Sequence, residues 1–305
     1  MQSQLKISII TPIYNRVELI SEAINSVLDQ NYPCFEHIIV DGGSTDGTLS
    51  ILSNYPHLRV ISEPDKGVYD ALNKGIQAAT GDIIGLLNSD DYYAADTFNQ
   101  ISSLFFRGSK TKVLVGGAKV FIDTKSGREI SAEYPSGTIR NLPKKLTTGV
   151  PAINAWFFQT NLIKKLGVFD LSYRVAADRH FLITLLKDIS FSEIAFTEKF
   201  TYFYRQHSSS MTITGQNDYF NEFVFEHLRI AEFFINNRST PNVLRRACCQ
   251  WHSKDTSNLV IQNLFSSPSI AWQFVYSGFR HNPFWVFHLF HQIVIHFYNA
   301  LVEKY

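Results

Sequence analysis

Four short apolar runs, Ile7–Ile10, Ile38–Val40, Leu58–Ile61 and Ile83–Leu87, recur along the N-terminal part of the chain with helical patterns between them. Each is rich in Ile, Leu or Val and too short for a buried helix, so each reads as a strand covered on both faces. Between the first two, Val17, Ile20, Ile24, Val27 and Leu28 fall at helical spacing. Asn15 and Glu18 stand three apart before them, as the two partners of a capping box would. Thr48–Leu52 and Tyr69–Ala79 predict two further helices, the second stopping near Gly81. This alternation predicts an α/β fold of right-handed βαβ units with a mostly parallel, doubly wound sheet. With 305 residues, 45% of them hydrophobic, the chain can bury one large domain and an appendage.

Three of these strands run into polar loops. Ile7–Ile10 leads to Thr11–Pro12–Ile13–Tyr14–Asn15–Arg16, Ile38–Val40 to Asp41–Gly42–Gly43–Ser44–Thr45–Asp46–Gly47, and Ile83–Leu87 to Asn88–Ser89–Asp90–Asp91. In open α/β sheets ligands bind beyond the carboxyl ends of strands, so the three loops are expected to line one site. Adjacent carboxylates such as Asp90 and Asp91 repel unless a cation neutralises them. Hard oxygen ligands suit a divalent cation, Mn2+ or Mg2+, which in turn holds a diphosphate. The competing reading of Asp90 and Asp91, a helix cap or a strand end, is outweighed by three polar strand ends in register. Lys plus Arg total 28 against 27 for Asp plus Glu, so no net charge favours nucleic acid. Three cysteines, two of them adjacent (Cys248 and Cys249), fit neither a disulfide framework nor a zinc spacing. Without a signal-peptide pattern at the N-terminus, the expected location is cytoplasmic.

On these segments the sequence resembles a family 2 glycosyltransferase with the GT-A nucleotide-diphospho-sugar transferase fold. The resemblance runs from about residue 6 to about residue 210 and includes Glu63–Pro64–Asp65–Lys66–Gly67–Val68–Tyr69–Asp70–Ala71–Leu72–Asn73–Lys74–Gly75 as a third signature. Leu87–Asn88–Ser89–Asp90–Asp91 is similar to the family's metal-binding DxD-type segment, with Asn88 where an aspartate is frequent. The resemblance implies that Thr11, Pro12 and Tyr14 border the nucleoside, that Asp41 accepts a hydrogen bond from the base, that Asp90 meets the ribose and that Asp91 coordinates the cation. Arg16 and Lys66 either add positive charge near the diphosphate or are solvated surface residues. Asp70 and Asn73 line the pocket or the helix surface, and Asp46 reads as a turn residue.

On the acceptor side, Val168–Phe169–Asp170–Leu171–Ser172–Tyr173–Arg174–Val175–Ala176–Ala177–Asp178–Arg179–His180 resembles the family segment whose acidic residue opens a helix. Asp178 takes that position as the base of an inverting transfer, which needs one carboxylate to deprotonate the acceptor hydroxyl. The alternative is an N-cap. Asp170 reads as a turn residue. The strand-like Pro151–Phe158 enters the acceptor side with aromatics that pack in the core, and Tyr202–Arg205 leads into a polar loop where Arg205 or His207 folds over the diphosphate.

The resemblance divides the chain into 1–215, the glycosyltransferase domain, and 216–305, a helical, aromatic-rich extension. Its last helix, 283–302, shows a polar stripe of His288, Gln292, His296 and Asn299, continued by Glu303, in an otherwise apolar circumference. That pattern predicts peripheral contact with a membrane, with Trp285, Tyr298, Arg280 and Lys304 near the headgroups, or packing on protein. Metal binding by His288, His291 and His296 is a lesser alternative. The implied activity is metal-dependent transfer of one sugar from a nucleotide-sugar donor, a UDP-sugar first, to a glycan or lipid-linked acceptor in surface polysaccharide biosynthesis. The alternatives are a nucleotidyl or sugar-phosphate transferase, and a non-catalytic nucleotide-sugar-binding module.

Overall fold

The computed structural model describes residues 4–108, 110–137, 142–148, 152–167, 169–207, 219–264 and 267–302. The chain divides into two compact units, Met1–Thr214 and Gly215–Tyr305.

In the first unit the predicted strands form as β1 (Ile7–Ile13), β2 (Phe35–Asp41), β3 (Leu58–Ser62) and β4 (Ile83–Leu86), with helices α1 (Ile20–Leu28), α2 (Thr48–Leu52) and α3 (Val68–Ala78) between them. Every residue of β1 is buried, which is why its run carries no polar alternation. It lies between β2 and β4, parallel to both, with Ile10 opposite Ile38 on one side and Leu86 on the other. Ile7, Ile9 and Ile13 pack against Ile20, Ile24 and Val27 of α1 in the main core. Each such side chain contributes about 1.5–3 kcal/mol through burial.

The capping box does not form. Asn15 adopts a left-handed φ of 52°, and its Oδ1 accepts the Thr45 N–H at 2.9 Å. The first turn is closed instead by Arg16 O, which accepts from Leu19 and Ile20 N–H, and the helix begins at Ile20. A tertiary bond to the neighbouring loop has displaced the local one.

Beyond β4 the chain adds β5 (Tyr92–Tyr93), α4 (Thr97–Arg107), β6 (Val113–Thr124), β7 (Gly127–Tyr134), α5 (Leu142–Thr148), β8 (Trp156–Gln159), α6 (Thr160–Leu166), α7 (Ala177–Asp188) and β9 (Ile194–Arg205). The sheet order is β3-β2-β1-β4-β8-β6-β9-β5, with β7 on β6. It is parallel through β3-β2-β1-β4 and mixed beyond, where β8 runs antiparallel to both β4 and β6. Trp156, Phe157 and Phe158 are fully buried core residues. Pro151 lies outside the described residues.

The second unit consists of α8 (Tyr219–Asn236), α9 (Asn242–Asn263), α10 (Pro268–His281) and α11 (Trp285–Val302), with α9 packed on each of the others. Its buried face is unusually polar: Ser253, Thr256 and Ser257 are inaccessible and return their hydroxyls to Cys249, His252 and Ser253 carbonyls. Trp285 is buried and not at a headgroup position. Its Nε1–H donates to Thr256 Oγ1 at 2.8 Å and Ser253 O at 3.2 Å. Its ring lies where a Cβ on Gly278 would come within 2.3 Å of it, so only glycine allows this approach. The aromatics Trp272, Tyr276, Phe284, Phe287 and Phe290 are instead 68–71% exposed. Among the described residues no helix is long and apolar enough to cross a membrane. The side chains of Phe220, His296, Tyr298 and Asn299, together with Glu303 and Lys304, lie outside the described residues.

Candidate active site

Because β1, β2 and β4 run parallel, the loops after them meet on one edge of the sheet. The first two are laced together. Asn15 N–H donates to Ser44 Oγ at 2.8 Å, Arg16 N–H to Thr48 Oγ1 at 2.9 Å, and Val17 N–H to Asp46 Oδ2 at 3.1 Å. Asp46 also accepts the Thr48 N–H, so it is the turn residue its neighbours suggest. Asp41 is wholly buried; it accepts N–H bonds from Gly43 and Ser44 at 3.2 Å and the Ser62 hydroxyl at 2.7 Å. Gly42 beside it is pressed against Asp65, whose Oδ2 lies 2.5 Å from where a Cβ would stand. Thr11 Oγ1 pairs with His37 Nε2 at 2.9 Å in the interior, and burial, with His57 adding to it, pulls the His37 pKa down to about 3. Pro12 is buried, Arg16 half-buried and Lys66 exposed. Tyr14 stands 58% exposed at the loop. Asp70 accepts the Lys66 N–H at 3.0 Å and pairs with Lys74 at 3.5 Å, a helix-start role. Asn73 clasps Phe169 through both its amide atoms, at 2.9 and 2.8 Å, and so ties α3 to the acceptor-side segment.

The two carboxylates at the end of β4 have different surroundings. β5 pairs antiparallel with β9, Tyr92 opposite Phe203 and Tyr93 opposite Tyr202. One and two steps further in that register bring Tyr204 and Arg205 beside Asp91 and Asp90. Asp91 is 1% exposed and accepts three hydrogen bonds: the Tyr202 hydroxyl at 2.5 Å, the Arg205 N–H at 2.7 Å and the Asn88 amide at 2.9 Å. Burial, reinforced by the charge of Asp90, pushes its pKa up to about 8. Asp90 stays partly exposed, and its Oδ2 lies 2.8 Å from His207 Nε2. Asn88 continues the network, accepting from the Asn154 amide at 3.2 Å. The amide at position 88 can donate to Asp91 and accept from Asn154 at once, which a carboxylate could not.

Arg205 is no lid. Its side chain is 8% exposed; the guanidinium pairs with Glu22 and Asp123, and Nε–H donates to Asp90 O at 2.9 Å. It clamps the Asp90–Asp91 loop to α1 and β6. The polar loop 208–212 lies outside the described residues.

A divalent cation fits the Asp90–His207 pair. A carboxylate oxygen and an imidazole nitrogen meet there beyond the ends of β4 and β9, each partly open to solvent, and a cation would replace the 2.8 Å hydrogen bond that joins them; Asp91 differs in being buried, with both oxygens held by hydrogen bonds.

Across from these loops Asp178 occupies the first turn of α7. It is not the N-cap: that position belongs to Ala176. Asp178 Oδ1 accepts the Tyr69 hydroxyl at 3.2 Å and the Arg179 N–H at 2.9 Å. No hydrogen bond from a described residue reaches Oδ2. Tyr69 also donates to Val175 O at 3.1 Å, so one side chain joins the first turn of α3 to that of α7. Asp170 is a turn residue, accepting the Ser172 N–H at 2.9 Å. The contributions of Tyr69, Tyr202 and Asn154 escaped the sequence reading, because each depends on a partner distant in the chain.

A cavity of about 600 Å³ lined by Leu5, Gly81, Asp82, Thr160 and Lys164 lies at the amino ends of β1 and β4, away from this edge.

The chain is similar to known proteins. A glycosyltransferase of PGL/p-HBAD biosynthesis from Mycobacterium bovis is 34% identical over 182 residues, which are 58% of this chain and 68% of that protein. S. aureus TarS 1-349, in complex with UDP-GlcNAc, superposes with a TM-score of 0.63 at 22% identity, over 86% of this chain and 74% of that one. A mannosyltransferase from Pyrobaculum calidifontis in complex with GDP-Man and Mn2+ does so with a TM-score of 0.61 at 16% identity, over 94% and 84%. The fold is therefore the GT-A glycosyltransferase fold, an α/β sheet followed by C-terminal helices. The model of glycosyl transferase family 2 matches residues 8–167, more than half of the chain, and the chain belongs to that family.

Proposed function

We propose that the chain is an inverting glycosyltransferase that moves one sugar from a nucleoside-diphosphate donor, a UDP-sugar, to a hydroxyl of a glycan or lipid-linked acceptor. The observation that carries this reading is the pairing of Asp90 with His207 on one side and the tethering of Asp178 by Tyr69 on the other. Asp90 and His207 would hold Mn2+ or Mg2+, whose charge neutralises the diphosphate as it leaves. Asp91 then acts as a buried brace that aims Asp90, in place of the ligand role the resemblance implied. Tyr14 would cover the nucleoside face, and Asp41, with Thr11 and Pro12 beneath, would shape the base pocket. Arg16 and Lys66 supply nearby positive charge. Asp178 Oδ2 takes the proton of the acceptor hydroxyl as that oxygen attacks the anomeric carbon, while Tyr69 and Arg179 N–H hold Oδ1. No covalent sugar intermediate is needed.

The UDP-GlcNAc named with TarS supports a UDP-sugar donor, and the PGL/p-HBAD relative supports a role in glycolipid or polysaccharide assembly. A location at the cytoplasmic face of a membrane is the companion reading, since α10 and α11 expose aromatics and contain Arg280 but no Asp or Glu within 268–302. Measuring nucleotide release from a panel of UDP-, GDP- and dTDP-sugars with manganese tests the reading. Release from one class, dependent on metal, supports it. Tight donor binding without turnover on any acceptor would instead favour a binding module.

A further inference from the structure

The second unit holds a set of ligand-type side chains separate from the donor site. Glu232 on α8, His252 on α9 and His281 on α10 direct one oxygen and two ring nitrogens to within 4.8 Å of one another. His252 Nε2 lies 3.1 Å from Glu232 Oε1, and His281 Nδ1 lies 3.9 Å from the same oxygen. Ligand atoms about 3.3 Å apart are what tetrahedral zinc with bonds of about 2.0–2.2 Å requires. Ligation would close these separations and release His281 Nδ1 from the Ser277 carbonyl, to which it now donates at 3.0 Å.

Two further features set this cluster apart from an ordinary buried hydrogen-bond network. His252 is inaccessible, yet its Nδ1 has no hydrogen-bond partner. The ring is therefore held through Nε2 alone, the nitrogen that faces Glu232 and Ser277. Glu232, by contrast, is 38% exposed, which gives an entry path to the two imidazoles. Ser277 contributes a hydroxyl 3.2 Å from His252 Nε2 and 3.3 Å from Glu232 Oε1. His288 and His291 on α11 belong to no such cluster among the described residues.

We propose that Glu232, His252 and His281 form a divalent-metal site, zinc by its donor set, which staples α8, α9 and α10 together with one coordination position left for an exchangeable ligand. The site would be structural, because three helices that share a polar interior gain a cross-link the apolar core does not supply. Each ligand comes from a different helix, so binding is coupled to the packing of the unit.

The test uses the full chain carrying Asp90→Asn, which silences the donor-site cation. After chelator treatment it is titrated with CoCl2 and ZnCl2, with visible spectra and metal content read out. The expected result is about one zinc per chain and a tetrahedral cobalt spectrum without a thiolate charge-transfer band. Adding Glu232→Gln or His281→Gln is expected to weaken binding at least ten-fold, by the scale on which metal sites respond to lost partners, while circular dichroism keeps its helical signature. If either variant unfolds, the cobalt spectrum of the chain with all three ligands decides alone. The proposal is overturned if that chain stays folded and binds neither metal, if both substitutions leave binding unchanged, or if a thiolate band assigns the ion to Cys248 and Cys249.

Discussion

In the proposed mechanism Asp178 is the base and Tyr69 positions it. Asp178→Asn keeps the size of the side chain and removes its basicity, so turnover should fall about 10²–10⁴-fold while calorimetric donor affinity stays unchanged. A loss confined to donor affinity would move Asp178 to the binding side. His37 gives a pH signature. Its pKa in the fold is about 3, because burial opposes charge, and in the unfolded chain it is about 6.5. The stability conferred by the neutral ring is therefore present above about pH 6.5 and is lost as the pH falls towards 3, by up to about 1.4 kcal/mol per unit. Urea midpoints between pH 7.5 and 4.5 should show a shallower fall in His37→Gln than in the native chain. Equal slopes would contradict this. At this scale the sequence announced Asp90 and Asp91 but not their division of labour. That division depends on Tyr202 and Arg205, 111 and 114 residues from Asp91, and no local pattern reports such a separation.

The elements that hold the site were legible in proportion to how local their causes are. β1 to β4 declare themselves by continuous apolar runs, and α3 by its spacing. β6 does not, because Gly116 and Gly117 interrupt it, and its antiparallel pairing with β8 is a long-range property. The capping box failed for the same reason, since Asn15 bonds across to the second loop. β9 carries the largest mechanical role: through Arg205 it joins the carboxylate loop to Glu22 of α1 and Asp123 of β6. Glu22 and Asp123 are 35% and 46% exposed and both also pair with Arg128, so Arg205→Met should destabilise the first unit chiefly through the lost Nε–H bond to Asp90 O, by about 1.5–3 kcal/mol. Chemical denaturation monitored by tryptophan fluorescence measures it. A loss below about 1 kcal/mol would mean the cluster behaves as a surface ion pair.

The two units carry different kinds of surface. The first closes the runs of β1, β2 and β4 inside the sheet but leaves Val60 of the edge strand β3 40% exposed, against the expectation that every run is covered on both faces, whereas the second leaves Trp272, Tyr276, Phe284, Phe287 and Phe290 in solvent. Trp272 and Tyr276, and Phe284, Phe287 and Phe290, recur at steps of three or four, the spacing of one helix face, and such exposed apolar faces are where lipid or protein contact is to be tested. Flotation with vesicles is expected to carry the native chain upward and to leave a Phe284→Glu, Phe287→Glu, Phe290→Glu variant at the bottom. Equal flotation of both would contradict lipid contact through α11. Periodicity alone made the last helix legible as apolar, but it could not tell that Trp285 turns inward onto Gly278 while its neighbours turn out.

In the proposed site Asp90 and His207 seat the cation while Asp91 braces them. The most direct test is calorimetric titration of UDP with and without manganese into the native chain and into Asp90→Asn, His207→Gln and Asp91→Asn. Manganese-dependent UDP binding is expected to weaken at least about ten-fold in Asp90→Asn and in His207→Gln and to persist in Asp91→Asn. Loss of the manganese dependence in Asp91→Asn, with Asp90→Asn and His207→Gln unaffected, would contradict it.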